Sequence, residues 1–318
     1  MDDLIIIGSG PAGLTASIYA SCFHLTHVVI GSAIGGQMLL APDIINYPGF
    51  VEVSGKELTE RMLAQVQSRG GSIVEESVVS IAKDAEVFSV TTKGGTRFQA
   101  KAVIIASGTE RKKLNVPGES EYAGKGVHYC ATCERQDYAG KVVAVVGGGN
   151  AAGQSALQLA HAASKVVIVC RADALRCDPE WMTKLTAKEN VVFLYNAQVK
   201  EISGNGSHVT GIRVNVATSG EQVLDVEKVF IEIGGVPGTA LVAPLGVALD
   251  PGGYIKVDEH LATTVPGVFA AGDLVSYGLS LEQISTAVGL GARAASSVFS
   301  YLKKTHAPSS WGQTLIKR

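Results

Sequence analysis

Short, unbroken apolar runs that end in glycine-rich turns set the pattern of this chain. Leu4-Ile5-Ile6-Ile7 leads into Gly8-Ser9-Gly10-Pro11-Ala12-Gly13, and Val142-Val143-Ala144-Val145-Val146 leads into Gly147-Gly148-Gly149-Asn150-Ala151-Ala152. Neither run alternates with polar residues, which predicts strands covered on both faces, as in a parallel sheet. Further strands are predicted at Val28 to Ile30, Ala102 to Ala106, Val166 to Val169, Val229 to Ile233 and Val268 to Ala271. Helical stretches follow both turns, from Pro11 to about Cys22 and from the second turn through Ala163, and another is expected from Ile284 to Ser296. Strand, tight turn and helix N-terminus in this order present backbone N–H groups and a helix dipole to a pyrophosphate. The two copies run at a constant offset of 139 residues, Gly8 to Gly147, Gly10 to Gly149, Gly13 to Ala152 and Ile30 to Val169. A fixed offset through turn, helix and second strand predicts two copies of one nucleotide-binding unit.

The predicted fold class is α/β, with two Rossmann-like dinucleotide-binding domains, the second inserted into the first. Turn-rich stretches at Asn115-Val116-Pro117-Gly118 and Gly234-Gly235-Val236-Pro237-Gly238 bracket the insertion. Residues 1–114 and 236–318 are expected to form the outer domain, and 115–235 the inserted one. The 318 residues suffice for two cores, and 46% hydrophobic residues with 37 Gly and only 6% aromatics suit tightly turned α/β units. A formal net charge of −2 gives no case for nucleic acid or an acidic membrane as partner. Asp2 and Asp3 put negative charge where a secretory signal needs positive charge, and no apolar stretch approaches the roughly 18 residues of a membrane span. A cytoplasmic protein is expected.

Of five cysteines only one pair is close, Cys130-Ala131-Thr132-Cys133, just ahead of the second glycine turn. Two residues between the thiols allow one to attack and the other to resolve a mixed disulfide. Half a zinc site and a pair of unreactive thiols are the other readings; zinc would need two further ligands at suitable spacing, so no metal is expected. Cys22, Cys170 and Cys177 are expected to be small apolar fillers.

Taken in order, Gly35-Gly36-Gln37, Asn46-Tyr47-Pro48-Gly49, Ala106-Ser107-Gly108-Thr109, the Cys130–Cys133 motif, the second glycine turn and Gly267-Val268-Phe269-Ala270-Ala271-Gly272-Asp273 resemble the low-molecular-weight thioredoxin reductases. The resemblance runs from Leu4 to about Leu302. It implies FAD in the outer domain, redox cysteines in the inserted domain, thioredoxin as partner and a homodimer. It further implies FAD contacts from Gly8, Gly10, Pro11, Ala12, Gly13, Gly35, Gly36, Gln37, Asn46, Ala106, Gly108, Gly272, Asp273, Gln283 and Ile284. Asp273 follows the C-terminal end of a strand, where it can bond a ribityl hydroxyl or cap a helix. Gln283 opens a helix whose N-terminal dipole stabilises negative charge on a reduced flavin. Following the family, Cys130 attacks thioredoxin, Cys133 faces the flavin, and Glu134, where an Asp is usual, is the acid or base. Asp137 competes for that role, and His128 either tunes a thiolate or is a plain loop histidine.

Several positions depart from the family's NADPH-dependent members. These carry His-Arg-Arg and a further Arg after the second strand of the inserted domain, because guanidinium forks bind the 2′-phosphate. Here Arg171 and Arg176 remain, while Cys170 and Ala172 occupy the other two places. Glu282 stands where an Arg usually precedes the flavin-contacting Gln, and a tail runs on through Trp311, which could stack on the flavin. These departures resemble the ferredoxin-dependent flavin thioredoxin reductases, which implies ferredoxin as electron donor in place of NADPH. Lys303, Lys304, Lys317 and Arg318 could attract such an acidic partner. NADPH is the alternative donor, and a flavin-bound redox sensor without turnover is the reading outside enzymology.

Overall fold

The computed structural model describes residues 1–41, 44–129, 131, 138–276 and 282–305. The chain divides into two compact units, Met1–Thr109 with Pro237–Arg318 and Glu110–Val236. Residues 110–114 and Val236, expected in the outer domain, fall with the second unit. Local bonds explain this: Lys112 N donates to Gly234 O, and Leu114 N and Asn115 N donate to the buried Glu119 carboxylate.

In the first unit the parallel strands run in the order Ser72–Val74, His27–Ile30, Asp2–Ile7, Arg97–Ile105 and Val268–Ala270. The first half of Arg97–Ile105 also pairs antiparallel with Val87–Thr92, and that strand with Val78–Asp84. Period-two alternation splits the central residues between two cores. Leu4, Ile6, Val29 and Ile104 face the helices Pro11–Cys22 and Ile284–Lys303, whereas Ile5, Ile7, Ile30 and Ile105 pack with Phe88 and Val268. Small residues let the two helices close up: a Cβ at Gly291 would lie 2.1 Å from the Ala12 carbonyl oxygen. The second of these helices runs past the expected end at Ser296, because Val298 continues the buried stripe of Ala287, Gly291, Ala294 and Ala295 at helical spacing.

The second unit repeats the plan. Its parallel strands run Val191–Leu194, Lys165–Val169, Val142–Val146, Lys228–Ile231 and Val127–His128, with the antiparallel strands Ala197–Gly204, Val209–Val216 and Gly220–Asp225 preceding Lys228–Ile231 in the chain. Register repeats as well as order. Ile7 faces Ile30 and, at the same offset as the glycine turns, Val146 faces Val169. The helix after the second turn is Asn150–Leu159, shorter than expected, because the chain beyond it tightens into turns, with His161 N donating to Gln158 O and Ala162 N to Leu159 O, while Asn190 Nδ2 takes the Ala160 and Ala163 carbonyls.

Candidate active site

In the first unit the strand Asp2–Ile7 delivers the chain into a turn that closes on its own backbone. Gly8 N donates to Ile30 O at 2.8 Å, and Gly8 has φ of +110°, with the Ala106 carbonyl oxygen 2.2 Å from where a Cβ would stand. Any side chain there would strike backbone, so glycine is required. At Gly10 an added Cβ would meet no protein atom within 4 Å, and Gly10 caps the helix Pro11–Cys22 with no side-chain hydrogen bond. The first-turn N–H groups of that helix are therefore available to an anion.

The other expected flavin contacts gather around this turn. Gly36 lies against it, with Gly10 Cα 3.3 Å from an added Cβ, and Gly35 N donates to Ser9 O. Gln37 Nε2 donates to the Thr109 hydroxyl at 2.8 Å and to its carbonyl at 3.1 Å. Asn46 Nδ2 donates to Gln283 Oε1 at 2.8 Å, joining residues 237 apart in sequence. Gln283 caps the helix beginning at Ile284 without a side-chain bond to its N–H groups. Gly272 packs on Ala12, with a Cβ–Cβ separation of 3.1 Å were it to carry one. Beside it the Asp273 carboxyl is pushed up to about 6, first by burial and then by the Glu282 carboxylate. Ala106 N donates to Ile7 O, and Gly238 N donates to Gly108 O. An open glycine cradle, two helix N-termini without side-chain caps and a half-buried acid stand in one unit, a set of groups that fits a flavin dinucleotide.

In the second unit the corresponding turn lies at the carboxyl edge of the parallel sheet. Gly147 N donates to Val169 O at 3.0 Å, and Gly149, like Gly10, would meet no protein atom with an added Cβ. Arg176 N donates to Gly148 O at 2.6 Å, which brings the segment carrying exposed Arg171 and Arg176 onto this turn. The strand Val127–His128 ends at the same edge, two residues before Cys130 in the chain. Cys130, Cys133, Glu134 and Asp137 lie outside the described residues, as do Trp311, Lys317 and Arg318. His128 stacks on Phe230 at 5.5 Å between ring centroids, and its Nε2 lies 3.2 Å from the buried Lys228 Nζ.

The model of the pyridine nucleotide-disulphide oxidoreductases matches residues 2–291. The chain belongs to that family. A Bacillus subtilis protein named thioredoxin reductase is 40% identical over 304 residues, covering 95% of this chain and 95% of its own. The crystal structure of Lactococcus lactis thioredoxin reductase superposes with a TM-score of 0.92 at 32% identity, covering 96% of this chain and 100% of that one. A ferredoxin-flavin thioredoxin reductase from Clostridium acetobutylicum is also 32% identical, covering 96% and 99% of the two chains, with a TM-score of 0.52. The α/β fold with doubled dinucleotide-binding units is thus that of a flavin-dependent disulfide reductase.

Within this family fold the second unit holds charged groups that sequence reasoning missed. Glu232 is buried, accepts from Ser155 Oγ at 2.8 Å and pairs with Arg111 Nη1 at 2.6 Å. Burial pushes its carboxyl up, and Arg111 and Ser155 work against that. Buried Glu119 binds two backbone N–H groups and the Tyr129 hydroxyl. The signal was present: Lys228 and Glu232 interrupt an apolar run, and a charge inside such a run needs a partner. Among the described residues no group of three or more His, Cys, Asp or Glu could hold a metal, and no helix is long and apolar enough to cross a membrane.

Proposed function

We propose that this chain is an FAD-dependent thioredoxin-disulfide reductase that works as a homodimer, with NADPH as its electron donor. The observation that carries the reading is the combination of two like-registered dinucleotide units with a dithiol motif that begins two residues after the strand Val127–His128 in the chain, a strand that ends at the edge where the second glycine turn opens. FAD, when bound, supplies the two-electron carrier between donor and disulfide. The residues around Gly10 would hold its pyrophosphate, Gln283 orients Asn46, and the helix N-terminus at Ile284 would favour negative charge on a reduced flavin. Following the resemblance, Cys133 would be the sulfur that receives electrons from the flavin. As thiolate, Cys130 attacks the thioredoxin disulfide; Cys133 then resolves the mixed disulfide, and Glu134 or Asp137 supplies the proton to the departing sulfur.

Support for NADPH comes from the intact turn at Gly147–Gly149, from Arg171 and Arg176 beside it, and from the family of pyridine-nucleotide enzymes to which the chain belongs. Ferredoxin is the second reading, favoured by Cys170 and Ala172 in the phosphate-binding segment, by the acidic Glu282, and by the likeness to the clostridial enzyme. Anaerobic mixing of the purified protein with NADPH, NADH or reduced ferredoxin, followed by flavin absorbance, decides between them. Rapid bleaching by NADPH is expected; bleaching by ferredoxin alone overturns the donor assignment. Cys133→Ser should abolish thioredoxin reduction while FAD stays bound, and unchanged turnover would remove the dithiol from the mechanism.

A further inference from the structure

The geometry points to Glu119 and Tyr129 as a positioning pair for the dithiol, an inference that rests on the reading of Cys130 and Cys133 as the redox group. Tyr129 immediately precedes Cys130, and its hydroxyl donates to Glu119 Oε1 at 2.6 Å. Glu119 is 2% exposed. Its Oε1 also accepts from Leu114 N at 3.0 Å and its Oε2 from Asn115 N at 2.6 Å, so both carboxylate oxygens are fixed by backbone. That backbone is in turn rooted in the antiparallel sheet. Ile202 N donates to Pro117 O, and a Cβ at Gly118 would lie 1.8 Å from Ile202 O.

A charge-assisted bond from a phenol to a fixed carboxylate is among the stiffer side-chain contacts available. Burial first, and then Glu119, push the phenol's pKa up, so the hydroxyl keeps its proton and remains a donor. One residue earlier His128 is held from another side by Phe230 and Lys228. The chain therefore enters Cys130 with its last two residues tied to separate parts of the unit. Phenylalanine would fill the same volume as Tyr129 and leave Glu119 its two backbone donors, so the hydroxyl contributes orientation of the neighbouring cysteine and little to the fold. Positioning of this kind appears in turnover, since misplacement of a reacting group by a fraction of its bonding distance slows the reaction while binding of the distant partner surface is unchanged.

The test compares the full-length Tyr129→Phe and Glu119→Gln proteins with the unsubstituted one. The readouts are kcat and KM for thioredoxin, flavin content, and the rate at which iodoacetamide alkylates the dithionite-reduced protein at one fixed pH. Tyr129→Phe should retain flavin and an unchanged KM, while kcat falls about tenfold and alkylation changes in parallel. Glu119→Gln can keep an acceptor oxygen for Tyr129 and Leu114 N only by turning its NH2 group toward Asn115 N, so part of its effect falls on the 114–119 turn and Tyr129→Phe is the deciding variant. The inference is overturned if Tyr129→Phe turns over and alkylates within about twofold of the unsubstituted protein. It is overturned equally if Tyr129→Phe loses turnover only in step with its flavin. Cys133→Ser separates this from the reading beneath it: persistent thioredoxin reduction in that variant sinks the dithiol mechanism, whereas a dead Cys133→Ser with an unaffected Tyr129→Phe sinks only the positioning pair.

Discussion

In the turn of the first unit Ser9 carries a side chain and Gly31, just after the second strand, has none; in the second unit the equivalent Gly148 has none and Cys170 carries the thiol. The space between each pair holds one side chain only. A Cβ on Gly31 would lie 2.6 Å from Ser9 Oγ, and a Cβ on Gly148 would lie 2.6 Å from Cys170 Sγ. Both turns nevertheless keep the same N–H bond to the end of the second strand and the same open position at Gly10 or Gly149. The backbone path of the turn is therefore the fixed quantity, and the side chain that fills the space behind it can come from either wall. The third glycine position differs in another way. Gly13 is pressed against Gly8, whose carbonyl oxygen would be 1.9 Å from an added Cβ, whereas the second unit holds a methyl group at Ala152 with no surface exposed.

The largest expected effect separates the units at that third position. Gly13→Ala should destabilise the first unit by about 3 kcal/mol, because the clash is with backbone that cannot rotate away, and this exceeds the roughly 1 kcal/mol of helix propensity gained. FAD should be lost with it. Ala152→Gly, the reverse change in the second unit, should cost only about 1 kcal/mol. Urea unfolding followed by far-ultraviolet circular dichroism, together with flavin content, measures both, and equal costs would mean that the two turns do not differ as their contacts indicate.

The exchanged pair offers a sharper and smaller test. Gly148→Ser should cost about 2 kcal/mol by crowding Cys170, and Cys170→Gly about 1 kcal/mol through lost packing and added chain entropy. The double variant G148S/C170G writes the first unit's arrangement into the second, so its cost should fall below the sum of the two by about 1–2 kcal/mol. Additive costs in urea unfolding would show that the two residues do not share one space.

The doubling itself was legible in the sequence, because parallel strands buried on both faces read as unbroken apolar runs and glycine turns mark their ends. Leu4–Ile7 and Val143–Val146 have almost no exposed surface, as that reading requires. The antiparallel strands such as Val78–Asp84 and Gly220–Asp225 were not legible, since one face is exposed and their polar residues read as loop. Asn46 and Gln283 were each named separately, but their bond joins distant parts of the chain that only the fold brings together. Lys228 and Glu232 could have been read from the apolar run they flank, but their partners His128 and Arg111 lie 100 and 121 residues away, whereas Glu119 stands in a turn-rich stretch with no local mark of burial.

The smallest expected effect contrasts the acids of the two units. Glu232 has Arg111 and Ser155 to oppose its burial, whereas Asp273 has a second carboxylate, Glu282, which adds to it. Because the folded state raises the Asp273 pKa from its ordinary 3.8 to about 6, folding favours the protonated acid. Its contribution to stability is therefore complete below the unfolded value and is lost as pH rises toward and through about 6. Glu282→Gln keeps an amide oxygen for the Tyr254 hydroxyl, which donates to Glu282 Oε1 at 3.3 Å, but removes the charge that repels Asp273. The folded pKa should then move down, and the pH-dependent loss of stability should end at lower pH. The change is modest because burial, the larger cause, is untouched. Urea unfolding of the two proteins at several pH values between 4 and 7 reads the difference, and superimposable curves would mean that Glu282 exerts no field at Asp273.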